Sequence, residues 1–182
     1  MKIDRHWYAL YTRPRFERIV ESELKQKGLE SFLPLRSVIR YWTDRKKRIE
    51  EPLFPSYIFI YGDSKERYYA LQSRGAIRMV SFNGQPARIP EEQIEGISRI
   101  LEFGYNPEPY QYLRFGDEVE VVSGAMKGLR GFYLEDRGKD RLVISMHVVR
   151  QSLTVEIDRY QLKKVQATEK TERPGMTRLA TP

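Results

Sequence analysis

The stretch "EEPLFPSYIFIYG", residues 50–62, places the strongest constraint on what this chain can fold into. From Tyr57 its residues alternate as a strand does, yet both faces are apolar: Ile58 and Ile60 point one way, Tyr57, Phe59 and Tyr61 the other. A strand in a small antiparallel sheet ordinarily turns one polar face to water. Either two layers of the chain cover this strand, or one face is kept for a partner. The second face carries aromatics rather than Val, Ile or Leu, and aromatics are enriched at partner surfaces. Three short helices and about four strands offer too little chain to wrap both sides. A docking surface is the favoured reading.

Around this strand the first 104 residues alternate between strand and helix patterns. "HWYALY" reads as a strand and "TRPRFERIVESELKQKG" as a helix whose apolar face holds Phe16, Ile19, Val20 and Leu24, stopped at Gly28. "SFLPLRSVIRYW", the polar turn "TDRKKR" and the doubly apolar strand read as a hairpin with a basic tip. A second helix runs from an N-cap at Ser64 to about Arg74, and "IRMVSF" is a strand ending at the Asn83-Gly84 turn. A third helix starts at Pro90 and buries Ile94, Ile97 and Leu101. Helices against a sheet make residues 1–104 an α/β sandwich.

After Gly104 the pattern changes. "YNPEPYQY", within residues 105–112, reads as a stiff linker rather than an element. Residues 113–165 hold only short strands, five of them, and closure into a small barrel protects their edges. Residues 166–182 are polar and aperiodic, and a disordered tail is expected there. The fold class is thus α+β, an antiparallel sheet with helices followed by a five-stranded β-barrel.

The chemistry-bearing residues argue against catalysis. His6 and His147 are the only histidines and there is no cysteine, so neither a thiolate metal site nor a disulfide framework is expected. Glu50-Glu51 and Glu91-Glu92 are sequence neighbours, a poor arrangement for an acid–base pair. No phosphate-binding or nucleophile motif is present, and no cofactor is expected. Without an apolar run of membrane length or a signal peptide, a cytoplasmic protein is expected. The net charge of +7 permits a polyanionic partner. The cations cluster twice: Arg13, Arg15 and Arg18 around the first helix, and Arg45, Lys46, Lys47 and Arg48 at the hairpin tip, led by Arg36 and Arg40. They form either solvated faces or a track for a nucleic-acid backbone. Gly124, Gly128 and Gly131 in "SGAMKGLRG" precede a strand, not a helix, so turn geometry and close backbone approach explain them better than a phosphate cradle.

Four segments in order, "WYALYTRPRFE", "PLFPSYIFIY", "IRMVSFNGQPARIPEEQIEGI" and "GDEVEVVSGAMKGLRG", resemble the NusG family of transcription elongation factors over residues 6–165. The resemblance implies an N-terminal NusG domain and an SH3-like KOW barrel, with Gly124, Gly128 and Gly131 as the KOW glycines and Ala125 where the family often has proline. "TRPR", "LPLRSVIRYWTDRKKR" and "PLFPSYIFI" look more like the operon-dedicated RfaH-like and UpxY-type antiterminators than the housekeeping factor. It further implies a monomer that docks on the clamp helices of the largest RNA polymerase subunit through Phe54, Pro55, Tyr57, Phe59, Phe82 and Ile94. Arg13, Arg15, Arg18 and Arg74 are then placed near the non-template DNA strand, with the Arg45–Arg48 tip as an outer contact. A ribosomal protein or Rho is the implied partner of the barrel. Glu66, Arg67 and Tyr68 depart from the His-Thr-Thr pattern with which RfaH touches the opposite jaw. The alternatives left open are a housekeeping NusG and a ribosomal or RNA-binding KOW protein.

Overall fold

The computed structural model describes residues 4–41, 46–110, 117–136 and 138–165. The expected tail 166–182, Arg45 of the basic tip and residues 111–116 lie outside them. In the N-terminal unit the elements are β1 (His6–Thr12), α1 (Glu17–Gln26), β2 (Glu30–Phe32), β3 (Leu35–Tyr41), β4 (Lys46–Pro52), β5 (Tyr57–Gly62) and α2 (Ser64–Leu71). They continue with β6 (Ala76–Met79), β7 (Ser81–Phe82), β8 (Gln85–Pro86), β9 (Arg88–Ile89) and α3 (Glu91–Glu102). The C-terminal unit holds β10 (Glu108–Tyr110), β11 (Asp117–Val121), β12 (Arg130–Asp136), β13 (Lys139–Met146), β14 (Gln151–Glu156) and β15 (Leu162–Lys164).

The N-terminal sheet has the order β2-β5-β1-β6, with β9 also on β1, and all its pairings are antiparallel. The doubly apolar strand is therefore central. It is not one arm of the basic hairpin: that hairpin is β3 paired with β4, a separate two-stranded ribbon, and the chain turns at Pro55-Ser56 before β5 begins. Ser56 sits at φ 65, and the buried Glu17 carboxylate accepts its N–H at 2.7 Å, so a charged-group hydrogen bond fixes this left-handed turn. The cap of α2 lies one residue earlier than the sequence suggests. Asp63 accepts the Glu66 N–H while Glu66 accepts the Asp63 N–H, both at 2.8 Å, a reciprocal box that serine does not make here.

Both faces of β5 are covered. Ile58 and Ile60 pack with Tyr8, Leu10 and Met79 against Val20 and Leu24 of α1 and Ala70 of α2. On the opposite face Phe59 lies with Ala9, Leu53, Phe54, Ile94, Ile97 and Ile100 in a cluster that continues into the second unit through Met126 and Leu129 to Leu142, Ile144 and Leu153. Chain economy alone misjudges this, because part of the cover comes from beyond residue 104.

The second sheet has the order β10-β14-β13-β12-β11-β15, so β15 returns to β11 and a 3₁₀ turn (Arg159–Gln161) carries the chain there from β14. These are the five expected strands, β11–β15, plus a sixth. The segment read as a bare linker contributes β10, whose Glu108, Pro109 and Tyr110 pair with Thr154, Leu153 and Ser152. Pro109 lacks an N–H, which an edge strand tolerates.

Candidate docking and nucleic-acid surfaces

The register of β5, β1 and β6 lays the second face out in rows. Tyr57 is opposite Tyr11, which is opposite Arg78; Phe59 is opposite Ala9; Tyr61 is opposite Trp7. The middle row is sealed. Phe59 is 0% exposed, with Phe54 edge-on at 5.7 Å and Phe32 at 6.4 Å between ring centroids. Phe54 and Ile94 are buried as well, at 1% and 4%. The expectation that Phe59 stands ready at an open groove is corrected: in this structure it is a core residue. What stays accessible is the outer row and its flank. Tyr57 is half-buried, its ring tilted against that of Tyr11 at 5.3 Å between centroids, and Arg78 lies 5.4 Å over the Tyr11 ring. Burial, reinforced by Tyr11, raises the Tyr57 hydroxyl above its ordinary pKa. Pro55 is exposed, and Phe82 stands out at 52% on the β7–β8 hairpin.

Helix α3 is the element through which the two units meet. Gly96 approaches Leu129 so closely that a Cβ added there lies 2.8 Å from Leu129 Cδ2. Arg99 donates from Nη2 to the carbonyls of Ala125 at 3.0 Å and Lys127 at 2.8 Å, clamping the loop of the three glycines. A cleft of about 440 Å³ opens beside this contact, lined by Glu92 and Gln93 of α3 and by Arg130, Phe132 and His147 opposite. The glycines have the architectural roles expected. Gly124 and Gly128 adopt φ 78 and 87, where L side chains are strained, and a Cβ on Gly131 collides with the Val143 carbonyl oxygen.

The first basic cluster is partly assembled. The Arg13 N–H bonds to the Gly75 carbonyl at 2.8 Å, which brings Arg13 beside Arg74, and the Arg74 N–H is held by Glu23 at 2.8 Å. Both arginines are exposed. Arg15 is exposed at φ 67, whereas Arg18 pairs with Glu50 at 2.9 Å. Arg15 and Arg18 line a second cleft, about 450 Å³, with Pro14, Pro52, Pro55 and Pro109. On the ribbon, Lys46, Lys47 and Arg48 are exposed; Lys46 lies 5.1 Å over the Tyr41 ring and Arg48 donates to Ser37 at 2.7 Å. Glu51 neutralises the ribbon's base through Arg40 at 2.6 Å and Arg36 at 3.5 Å. Of the three residues matching the RfaH jaw contact, Glu66 is spent on the α2 cap and on Arg5, Arg67 covers Tyr8 at 4.4 Å, and only Tyr68 is free to reach out, 61% exposed.

Sequence reasoning missed Arg78, Tyr11 and Arg99. Arg78 and Tyr11 join Tyr57 only through strand register, and Arg99 reads as an ordinary helix-end cation. Among the described residues no group of three or more His, Cys, Asp or Glu could hold a metal ion, and no helix is long and apolar enough to cross a membrane.

Fold and surfaces together define a two-unit α+β protein with exposed aromatic and basic side chains. The family model "Transcription termination factor nusG" matches residues 5–98, and the chain belongs to the NusG family, whose members are transcription factors rather than enzymes. The NusG termination/antitermination protein of Buchnera aphidicola subsp. Baizongia pistaciae is 29% identical over 175 residues, covering 88% of this chain and 96% of that one. The Thermus thermophilus NusG is 27% identical, covering 87% and 97%. A solved structure, "Domain interaction in Thermotoga maritima NusG", shares the fold with a TM-score of 0.54 at 18% identity, over 90% of this chain and 98% of that one.

Proposed function

We propose that this protein is a bacterial, cytoplasmic transcription elongation and antitermination factor that docks on the clamp helices of RNA polymerase, and that the C-terminal unit, read as a KOW barrel, covers part of the docking face in the closed form. The observation that carries the reading is the single apolar cluster joining Phe54, Phe59 and Ile94 to Met126 and Leu129 of the other unit. A face of this kind is satisfied intramolecularly or by a partner, and the two compete. Tyr57, Pro55 and Phe82 give a helical tip its first purchase; release of α3 from the glycine loop gives it the rest. Arg13, Arg15 and Arg74, exposed beside this face, then track the non-template strand, with Lys46, Lys47 and Arg48 further out. The mechanism is energetic: a factor bound only to the elongating polymerase depletes paused states by mass action. Dedication to particular operons rests on the resemblance of residues 12–15, 33–48 and 52–60, and the general factor is the alternative.

Retention of purified core RNA polymerase by the immobilised chain at roughly 0.3–0.5 M salt, where phosphate contacts fade, tests the reading. Tyr57→Ala with Phe82→Ala is expected to abolish retention. Arg99→Ala, which removes two charge-assisted hydrogen bonds worth about 1–2 kcal/mol together at a partly exposed site, is expected to strengthen it severalfold. No retention by either form, with RNA bound only at low salt, defeats the proposal in favour of a ribosomal role. Read-through on templates with and without a candidate leader separates a dedicated from a general factor.

A further inference from the structure

We infer that residues 105–110 form a strap that sets how firmly the C-terminal unit is held on the N-terminal one, with the Glu108–Arg141 pair as its clasp. Its consequence for polymerase docking rests on the function proposed above; the strap itself does not.

The segment touches both units. On one side β10 pairs with β14, and Arg141 reaches across β14 to bond Glu108 at 2.9 Å and Thr154 Oγ1 at 3.2 Å. The Arg141 side chain is only 14% exposed and also faces Asp136 at 3.7 Å and Glu156 at 3.9 Å, so it is anchored before Glu108 arrives. The hydrogen bond to Glu108, with the charges of Glu108, Asp136 and Glu156, holds the guanidinium above its ordinary pKa. On the other side the Asn106 side-chain oxygen accepts the Ser37 N–H of β3 at 3.2 Å and Pro109 forms part of the wall of the cleft holding Arg15 and Arg18, while Tyr105 packs on the apolar cluster that the two units share.

Chain length turns this placement into an effect. Between α3, ending at Glu102, and β10, starting at Glu108, there are five residues, 103–107; between α3 and β11, starting at Asp117, there are fourteen, 103–116. Fully extended, these reach about 18 Å and about 50 Å. With β10 zipped onto β14 the C-terminal unit is tethered by the short segment, and unzipping lengthens the tether. Effective concentration falls roughly as the −3/2 power of tether length, so unzipping lowers the local concentration of the barrel at α3 about fivefold.

The test uses the full chain, which has no cysteine to interfere. The fraction of molecules with separated units is measured by small-angle X-ray scattering, and opening of β10 by amide exchange along β14. Glu108→Ala is expected to speed exchange at β14 and raise the separated fraction, with about fivefold, the value for a fully unzipped β10, as its ceiling, and Glu108→Asp restoring most of the closure. A Tyr110→Cys/Ser152→Cys pair, facing each other in the register, is expected to lower the separated fraction when oxidised and return to wild-type behaviour when reduced. Faster exchange at β14 with an unchanged separated fraction overturns the inference. So does an oxidised pair that leaves that fraction unchanged, whatever Glu108→Ala does. Neither readout involves polymerase, so failure of the docking proposal and failure of the strap are distinguishable.

Discussion

Phe59→Ala puts the central packing argument at risk. The ring is 0% exposed and lies against Phe54 and Phe32 at 5.7 and 6.4 Å. Truncating a fully buried Phe removes its transfer free energy and leaves a cavity, together about 3–5 kcal/mol. The edge-on contact with Phe54 and the packing of Ile94, Ile97 and Ile100 of α3 in the same cluster leave little room for collapse, which favours the upper half of that range. Against a total of about 5–15 kcal/mol for an ordinary domain, the N-terminal unit loses about a quarter or more of its stability. Urea unfolding followed by far-ultraviolet circular dichroism and by the fluorescence of Trp7 and Trp42 measures the loss directly. The docking-surface reading of the sequence predicts the opposite, a binding defect of about 2–4 kcal/mol with folding intact. A stability loss under about 1 kcal/mol, with polymerase binding abolished, refutes the packing argument and means that Phe59 is open in solution.

Two further outcomes follow from named contacts. Gly131→Ala forces a Cβ into the Val143 carbonyl and against Leu142 Cδ1 at 3.0 Å; because backbone must shift, it is expected to cost about 1–3 kcal/mol in thermal unfolding, and a neutral result defeats the close-approach account. Arg13→Ala with Arg74→Ala is expected to weaken binding of single-stranded DNA and to reduce the slope of log affinity against log salt by about 1.4, two contacts at about 0.7 each, as read by fluorescence anisotropy; an unchanged slope removes these arginines from the DNA path.

The elements readable from sequence were those whose signal is local. Apolar spacing placed α1 and α3, the Asn83-Gly84 turn marked the end of β7, and the four-then-three spacing of Gly124, Gly128 and Gly131 pointed to their backbone roles. What stayed hidden depends on partners distant in the chain. Nothing local distinguishes Ser64 from Asp63 as a cap, because the choice turns on whose side chain reaches the Glu66 N–H. β10 was invisible since two prolines in eight residues read as a stiff spacer, while the β14 edge that makes a strand of them lies more than forty residues on. The second face of β5 was correctly read as needing a cover and incorrectly assigned one, since Met126 and Leu129 belong to a segment with no periodic link to it.

That misassignment carries the functional argument further. If the face beside Phe59 is shared between a polymerase helix and the chain's own second unit, docking affinity is intrinsic affinity multiplied by the fraction of molecules already open. An open fraction of about 1% weakens apparent binding about a hundredfold, close to 2.7 kcal/mol. Contacts that act only on closure, such as Arg99 on the Ala125 and Lys127 carbonyls, therefore tune docking without touching the polymerase. DNA bound at Arg13 and Arg74 favours opening only if it binds the open form more tightly, since a ligand indifferent to the two states shifts neither. The Arg15–Pro109 cleft, where the proposed DNA path meets the strap, is the place where such a difference in affinity can arise.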